Sequence, residues 1–181
     1  MEHIETERLI LRELQPTDDA AMFALDADPA VHRYLGNSPI VSIEQARATI
    51  AAIRQQYAAY GIGRWATIEK SSNCFIGWSG LKLVTSYENN RTHFHDIGYR
   101  LMPKYWGKGY ATESAKAAID HGFQTMGLAE IIGMAHEENR ASRKALEKCG
   151  LVFVEQFKWK DITCDWLAIT RADWMARTPN K

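Results

Sequence analysis

The chain has 181 residues, 46% apolar and 24% charged, with 22 basic residues balancing 22 acidic ones. That length gives a single domain, 1–181, room for a sizeable core, and the composition is ordinary for a globular protein. A formal charge of zero leaves no basic field to draw the chain to nucleic acid or an anionic membrane, and no apolar run approaches the roughly 18 residues of a membrane span. The opening Met1-Glu2-His3-Ile4-Glu5 is charged and unlike a secretion signal. Cys74, Cys149 and Cys164 are odd in number and match no metal-ligand spacing. Reduced thiols, a cytosolic setting and no metal are therefore expected.

Taken in order, residues 6–14 alternate Leu9 and Leu11 against Arg8 and Arg12 and predict a first strand. Pro16 breaks it. Thr17-Asp18-Asp19 caps a helix that Asp28-Pro29 ends, a short turn follows over 31–35, and 36–39 is a loop. Ser42 and Gln45 form a capping box. The helix they open carries Ile43, Ala46, Ile50, Ile53, Tyr57 and Tyr60 on one stripe, and Gly61 ends it. Strands are predicted over 64–69, over 74–84 with Gly77 and Gly80 as candidate bulges, and over 93–101. Ala115, Ala118, Ile119, Gly122, Phe123 and Met126 then line one face of a helix beginning at Thr112. A strand over 130–135, a helix over 138–149 capped by Asn139, strands over 151–158 and 164–169 and a closing helical turn complete the chain. The order β-αα-βββ-α-β-α-ββ predicts an α+β, three-layer α/β domain. Its mixed, mostly antiparallel sheet should hold one central parallel β-α-β crossover around 94–135.

The stretch from Asp96 to Ser114 organises this pattern. Ile97, Tyr99 and Leu101 alternate with polar positions, Pro103 stops the strand, and Gly107 and Gly109 free the backbone for a tight turn into a helix. Amides feeding a helix N-terminus are a site for an anion, above all a phosphate. The spacing G-x-G-x-A is neither a Walker A loop nor the G-x-G-x-x-G dinucleotide fingerprint, and by itself it also fits an ordinary tight turn. Its context adds to it. Trp106-Gly107-Lys108-Gly109-Tyr110-Ala111 resembles the acyl-CoA pyrophosphate loop of the GCN5-related N-acetyltransferase superfamily, with Trp106 where the general pattern has Gln or Arg. Ile97-Gly98-Tyr99 through Thr112-Glu113, and Thr6-Glu7-Arg8-Leu9 near the start, resemble the branch containing the ribosomal-protein N-terminal acetyltransferases. A further match, Asn139-Arg140-Ala141-Ser142 through Gly150-Leu151, follows in the right order, with Leu151 replacing a usual Phe.

The resemblance implies the acyl-CoA N-acyltransferase fold and acetyl transfer from acetyl-CoA, used as co-substrate, to a primary amine in a ternary complex. The acceptor would be a small-molecule amine or a protein N-terminus, with no nucleic acid or membrane partner, and the chain a monomer or homodimer. It also implies site residues. Main-chain N–H groups of Trp106, Gly107, Lys108, Gly109, Tyr110, Ala111 and Thr112 would hold the pyrophosphate. Leu101 and Met102 would pair with the pantetheine arm like an added strand, and Asn139 is either a helix cap or a pantetheine contact. Lys108, Arg140, Arg143 and Lys144 would meet the 3′-phosphate or stay solvated.

An amine of pKa about 8 to 10 must lose a proton before it attacks. Asp96, where the family often carries Glu, is the first candidate to accept it, through water because its side chain is short. The bland alternative pairs Asp96 with Arg91 or Arg100. His93 and His95 are weaker candidates. Ser142, on the same helix face as Asn139, is the candidate donor to the departing thiolate, because Leu146 stands where many relatives carry a Tyr acid. The acceptor cleft is expected from loops 34–39, 86–92 and 158–164. A non-catalytic acyl-CoA sensor or docking module, or a nucleotide-binding protein, would also use such a loop.

Overall fold

A computed structural model of the chain describes residues 3–177, so Met1 and Glu2 of the charged opening lie outside the described residues. One sheet holds the strands β1 (Ile4–Glu5), β2 (Leu9–Glu13), β3 (Trp65–Glu69), β4 (Cys74–Val84), β5 (Phe94–Leu101), β6 (Glu130–His136), β7 (Val152–Trp159) and β8 (Ile162–Thr170). Their spatial order is β1-β2-β3-β4-β5-β6-β8-β7. All neighbours are antiparallel except β5 and β6, which run parallel as the crossover pattern predicted. The helices are α1 (Asp19–Asp26), α2 (Pro29–His32), α3 (Ile43–Tyr60), α4 (Tyr110–Gln124), α5 (Arg140–Lys148) and α6 (Arg171–Arg177).

Three details differ from the sequence pattern. The first predicted strand is two, because the Thr6 amide and hydroxyl both close onto Leu9 and turn the chain between β1 and β2. Helix α4 starts at Tyr110 rather than Thr112, since Gly109 at φ 84 serves as its cap. Tyr60, placed on the apolar stripe of α3, is 48% exposed, while Tyr57 of the same turn packs on the core. The bulge expected near Gly77 is present: the β3–β4 register shifts between Thr67 and Ile68, beside the Thr67–Gly77 pair.

The helices cover the sheet on both faces. On one, Ala115, Ile119 and Phe123 of α4 and Leu146 of α5 pack against Leu11, Leu81 and Ile97. On the other, Met22 and Leu25 of α1 and Ile50 and Ile53 of α3 pack against Leu14 and Ile68. A third cluster fills the β5–β8 half, where Trp166 meets Phe94 and Phe157 edge-on at 5.0 and 5.3 Å. Each fully buried Leu, Ile or Phe stabilises the fold by about 1.5–3 kcal/mol, so these clusters fix the strand positions.

The feature that positions the site is an interruption in this sheet. β5 and β6 pair only at Asp96–Ile132 and Ile97–Gly133. Beyond that, β5 runs on to Leu101 and β6 to His136 without further partners between them. The sheet therefore opens into a gap, with unpaired backbone along both walls. Pro103 ends β5 at the mouth, and the chain then enters the glycine loop.

Candidate active site

The loop at the mouth has an unusual backbone. Gly107 and Gly109 lie at φ 73 and 84, while Lys108 between them keeps a negative φ. Alternating hand in successive residues curls their amides into a concave nest that suits an anion. Gly109 then caps α4 with no side chain, so the first-turn amides of the helix stay open. The amides of Gly107, Lys108, Gly109, Tyr110, Ala111 and Thr112 donate to no group among the described residues. The first satisfied amide is that of Glu113, bonded to the Gly109 carbonyl at 3.0 Å. Residues 106–109 are exposed. The amide of Trp106, included in the expected cradle, is instead tied to the Pro103 carbonyl at 3.0 Å by the short turn after β5. Open N–H groups, positive helix end and solvent access fit a diphosphate.

The wall formed by β5 is more selective than expected. The Met102 amide donates to Ile76 at 2.9 Å, on the β4 side, and its carbonyl accepts from Tyr105 at 2.9 Å. Met102 therefore has both backbone groups engaged. Backbone direction alternates along a strand, so Leu101 faces the gap. Its carbonyl accepts from the Trp106 indole N–H at 2.6 Å, which ties the loop to the strand end.

Across the gap, Asn139 is the N-cap of α5: its Oδ1 accepts from the Ser142 amide at 3.1 Å, and its Nδ2 has no partner among the described residues. The cap and a ligand contact are compatible, since they use different atoms. Ser142 lies where sequence placed it, half-buried on the same face. The Tyr99 hydroxyl reaches it from β5, 2.8 Å from the Ser142 carbonyl and 3.1 Å from its Oγ. Burial raises the pKa of Tyr99 far above its ordinary value, so it stays a neutral donor. Tyr99 reads in the sequence only as an apolar strand position; the packing of α5 on β5 brings it to Ser142.

Asp96 stands at the apex of the gap, one pair before β5 and β6 part. It is 5% exposed. Its Oδ2 is paired with Arg64, not with Arg91 or Arg100. Those two serve Glu130 at 2.5 Å and Asp26 at 2.7 Å. Arg64 Nη1 also donates to the Asp96 carbonyl at 2.6 Å and to that of Gly80. A Cβ on Gly98 would lie 2.6 Å from Arg64 Nη2, so a side chain here would have to displace the guanidinium. Burial is the main force lowering the Arg64 pKa, against the pull of Asp96. The Asp96 Oδ1 bonds no group among the described residues.

The expected acceptor loops are split. Tyr34 packs on His136, at the gap end of β6, with ring centroids 5.3 Å apart. Turn 158–164 lies at the same end, because Cys164 pairs with His136. Loop 86–92 is elsewhere: it leads into the far end of β5, and Arg91 and Asn89 reach Glu130 and Glu155. His93 and His95 share that far end of β5. His136 is the histidine at the gap. Its Nδ1 accepts from the Glu138 amide at 3.1 Å, which leaves the neutral ring with its proton on Nε2. Arg143 is committed to Glu147 and Asp165 at 3.0 and 2.9 Å, not free for a phosphate. A cavity of about 780 Å³ lies between Pro16 and helix α3 and is lined by none of these residues. No group of residues able to hold a metal occurs among the described residues.

A sheet parted between two parallel strands, with an amide-lined helix start at the mouth, defines an acyl-CoA N-acyltransferase. The family model for the acetyltransferase (GNAT) domain matches residues 8–152. The chain belongs to this family and is an acetyl-CoA-dependent N-acetyltransferase. It is 33% identical over 158 residues to the FsC-acetyl coenzyme A-N(2)-transacetylase of Aspergillus fumigatus, covering 85% of this chain but only 66% of that one. It is 31% identical to the uncharacterized N-acetyltransferase YoaA of Bacillus subtilis, covering 81% of each. Among solved structures, a GNAT-family acetyltransferase from Bacillus anthracis superposes with a TM-score of 0.79 at 26% identity, over 94% of this chain and 99% of the other. The ribosomal L7/L12 α-N-protein acetyltransferase RimL, solved with coenzyme A, shares the fold at a TM-score of 0.77 and 16% identity, over 93% and 98%.

Proposed function

We propose that the chain moves the acetyl group of acetyl-CoA directly onto a primary amine, a small molecule's or a protein's N-terminal one, while both substrates are bound. The observation that carries this is the run of open amides from Gly107 to Thr112 beside the gap. These amides would hold the diphosphate, and the Leu101 edge and Asn139 Nδ2 would guide the arm inward. The amine would enter from the His136 and Tyr34 end. The Oδ2 of Asp96 is committed to Arg64, so its Oδ1 would take the amine proton through a water. Ser142 would meet the leaving sulfur. Bringing both substrates together supplies much of the rate on its own. Among the proteins compared, the ribosomal L7/L12 enzyme is named for a protein α-amine and the Aspergillus enzyme for an N(2) position. A cytosolic setting belongs to the same proposal and is supported by three free cysteines.

A panel of amines and peptides assayed for acetyl-CoA-dependent thiol release tests this. Release with at least one acceptor is expected; CoA binding without release from any would leave a sensor instead. Asp96→Asn should lower kcat by about a hundredfold or more with CoA affinity kept. An unchanged kcat would remove Asp96 from proton transfer.

A further inference from the structure

Outside the loop itself, the structure shows a side-chain cluster that holds it. Arg8, at the turn into β2, sends its Nε to Glu113 Oε2 at 2.7 Å and its Nη2 to the same carboxylate at 2.6 Å. Its Nη1 donates to the carbonyl of Lys108 at 3.0 Å, and the guanidinium lies 4.4 Å above the Tyr110 ring. Glu113 Oε1 accepts from the Thr6 hydroxyl at 2.6 Å and the Arg8 amide at 2.9 Å. Burial opposes charge on Glu113, but these bonds outweigh it and hold its carboxyl below the usual range.

We infer that Arg8 is a positioning residue for the diphosphate amides. The peptide joining Lys108 to Gly109 is trans, so its C=O and N–H point in opposite directions. Fixing the Lys108 carbonyl on the Arg8 side thereby aims the Gly109 N–H at the far side, into the nest. Gly109 is the most mobile kind of residue at φ 84 and has no side chain to hold it. The ring contact with Tyr110 fixes the next residue as well. Arg8 also neutralises Glu113, whose negative charge in the first turn of α4 would otherwise repel a diphosphate. A Thr-Glu-Arg-Leu sequence about a hundred residues from the glycine loop is thus part of its geometry. The inference rests on the loop being the diphosphate site.

The test compares two donors, acetyl-CoA and S-acetyl-pantetheine, which lacks the diphosphate. For the unaltered protein, kcat/KM should strongly favour acetyl-CoA. Arg8→Gln should raise the Kd for CoA about tenfold or more and leave kcat/KM with S-acetyl-pantetheine within about twofold. Adding Glu113→Gln should recover part of the loss, through the charge alone. Arg8→Lys, which keeps the charge but cannot bridge both partners, should fall between and serves if Arg8→Gln fails to fold. CoA affinity unchanged in a folded Arg8→Gln protein would overturn the inference while leaving the loop assignment standing, as would an equal loss with both donors. If the unaltered protein itself fails to distinguish the donors, the loop assignment falls and the inference with it.

Discussion

The two ends of the gap are built in opposite ways. At the mouth, six consecutive residues from Gly107 to Thr112 keep their amides open, and the nearest charges serve to hold the backbone. At the apex, charge is buried and paired: Arg64 with Asp96, and Arg100 with Asp26, whose side chain is 3% exposed. Trp78 lies between the two arginines, 5.5 and 5.0 Å from its ring. A site that must receive an anion keeps its donors free and solvated. A site that must keep its shape beneath a parted sheet spends its donors internally, because an unpaired buried charge is costly.

Breaking the apex should therefore cost stability, and breaking the mouth should cost binding. The largest effect is expected for Arg64→Ala, which leaves Asp96 buried without its partner. Stability should fall by about 3–5 kcal/mol, and the melting temperature by roughly 10 °C. A fall under about 1 kcal/mol in urea unfolding would mean that the pair is dispensable. Gly109→Asp should do the reverse. A side chain at φ 84 is strained, its Cβ would lie 3.4 Å from Arg8 Nη2, and the new carboxylate would add negative charge to the loop and compete for Arg8. The Kd for CoA should rise by about a hundredfold while the melting temperature falls by only a few degrees, less than for Arg64→Ala, and near-normal affinity in isothermal titration would contradict the loop assignment.

The same division explains what could be read from the sequence. The mouth is local: Pro103, Gly107 and Gly109 lie within seven residues, and each acts through its own backbone. The parallel crossover was legible too, because apolar period changes sharply between β5 and α4. Arg64 was out of reach as the partner of Asp96, being 32 residues away just before β3, with Arg91 and Arg100 nearer. Tyr99 was missed because it reads as one more apolar position of β5 until α5 packs over it. Met102 illustrates a one-residue limit. Whether a strand end faces the gap or β4 depends on register, which alternation alone does not set.

A smaller effect sharpens the boundary between the two ends. Tyr99→Phe removes the hydroxyl bridging β5 to Ser142 and should cost about 1 kcal/mol, with a loss in kcat only if Ser142 needs orienting. Thermal unfolding beside steady-state rates separates the two. The smallest effect concerns His32, 7% exposed beside the apex, whose buried Nε2 has no hydrogen-bond partner among the described residues. Burial, then the charge of Arg100, lowers its pKa below 6.5. The unfolded chain then takes up the proton first. The stability this group confers is present above about pH 6.5 and is lost as pH falls through its lower folded value. Melting temperature measured from pH 7.5 to 5 should decline less in His32→Gln than in the unaltered protein; parallel curves would assign the decline to other groups.

The open amides at the mouth can be watched one by one. In a ¹⁵N-labelled sample titrated with CoA, the resonances of Gly107 to Thr112 should show the largest shifts, and Gly109 should move downfield as its N–H meets a phosphate oxygen. Saturating CoA that leaves this run unmoved while shifting another surface would contradict the account at its root.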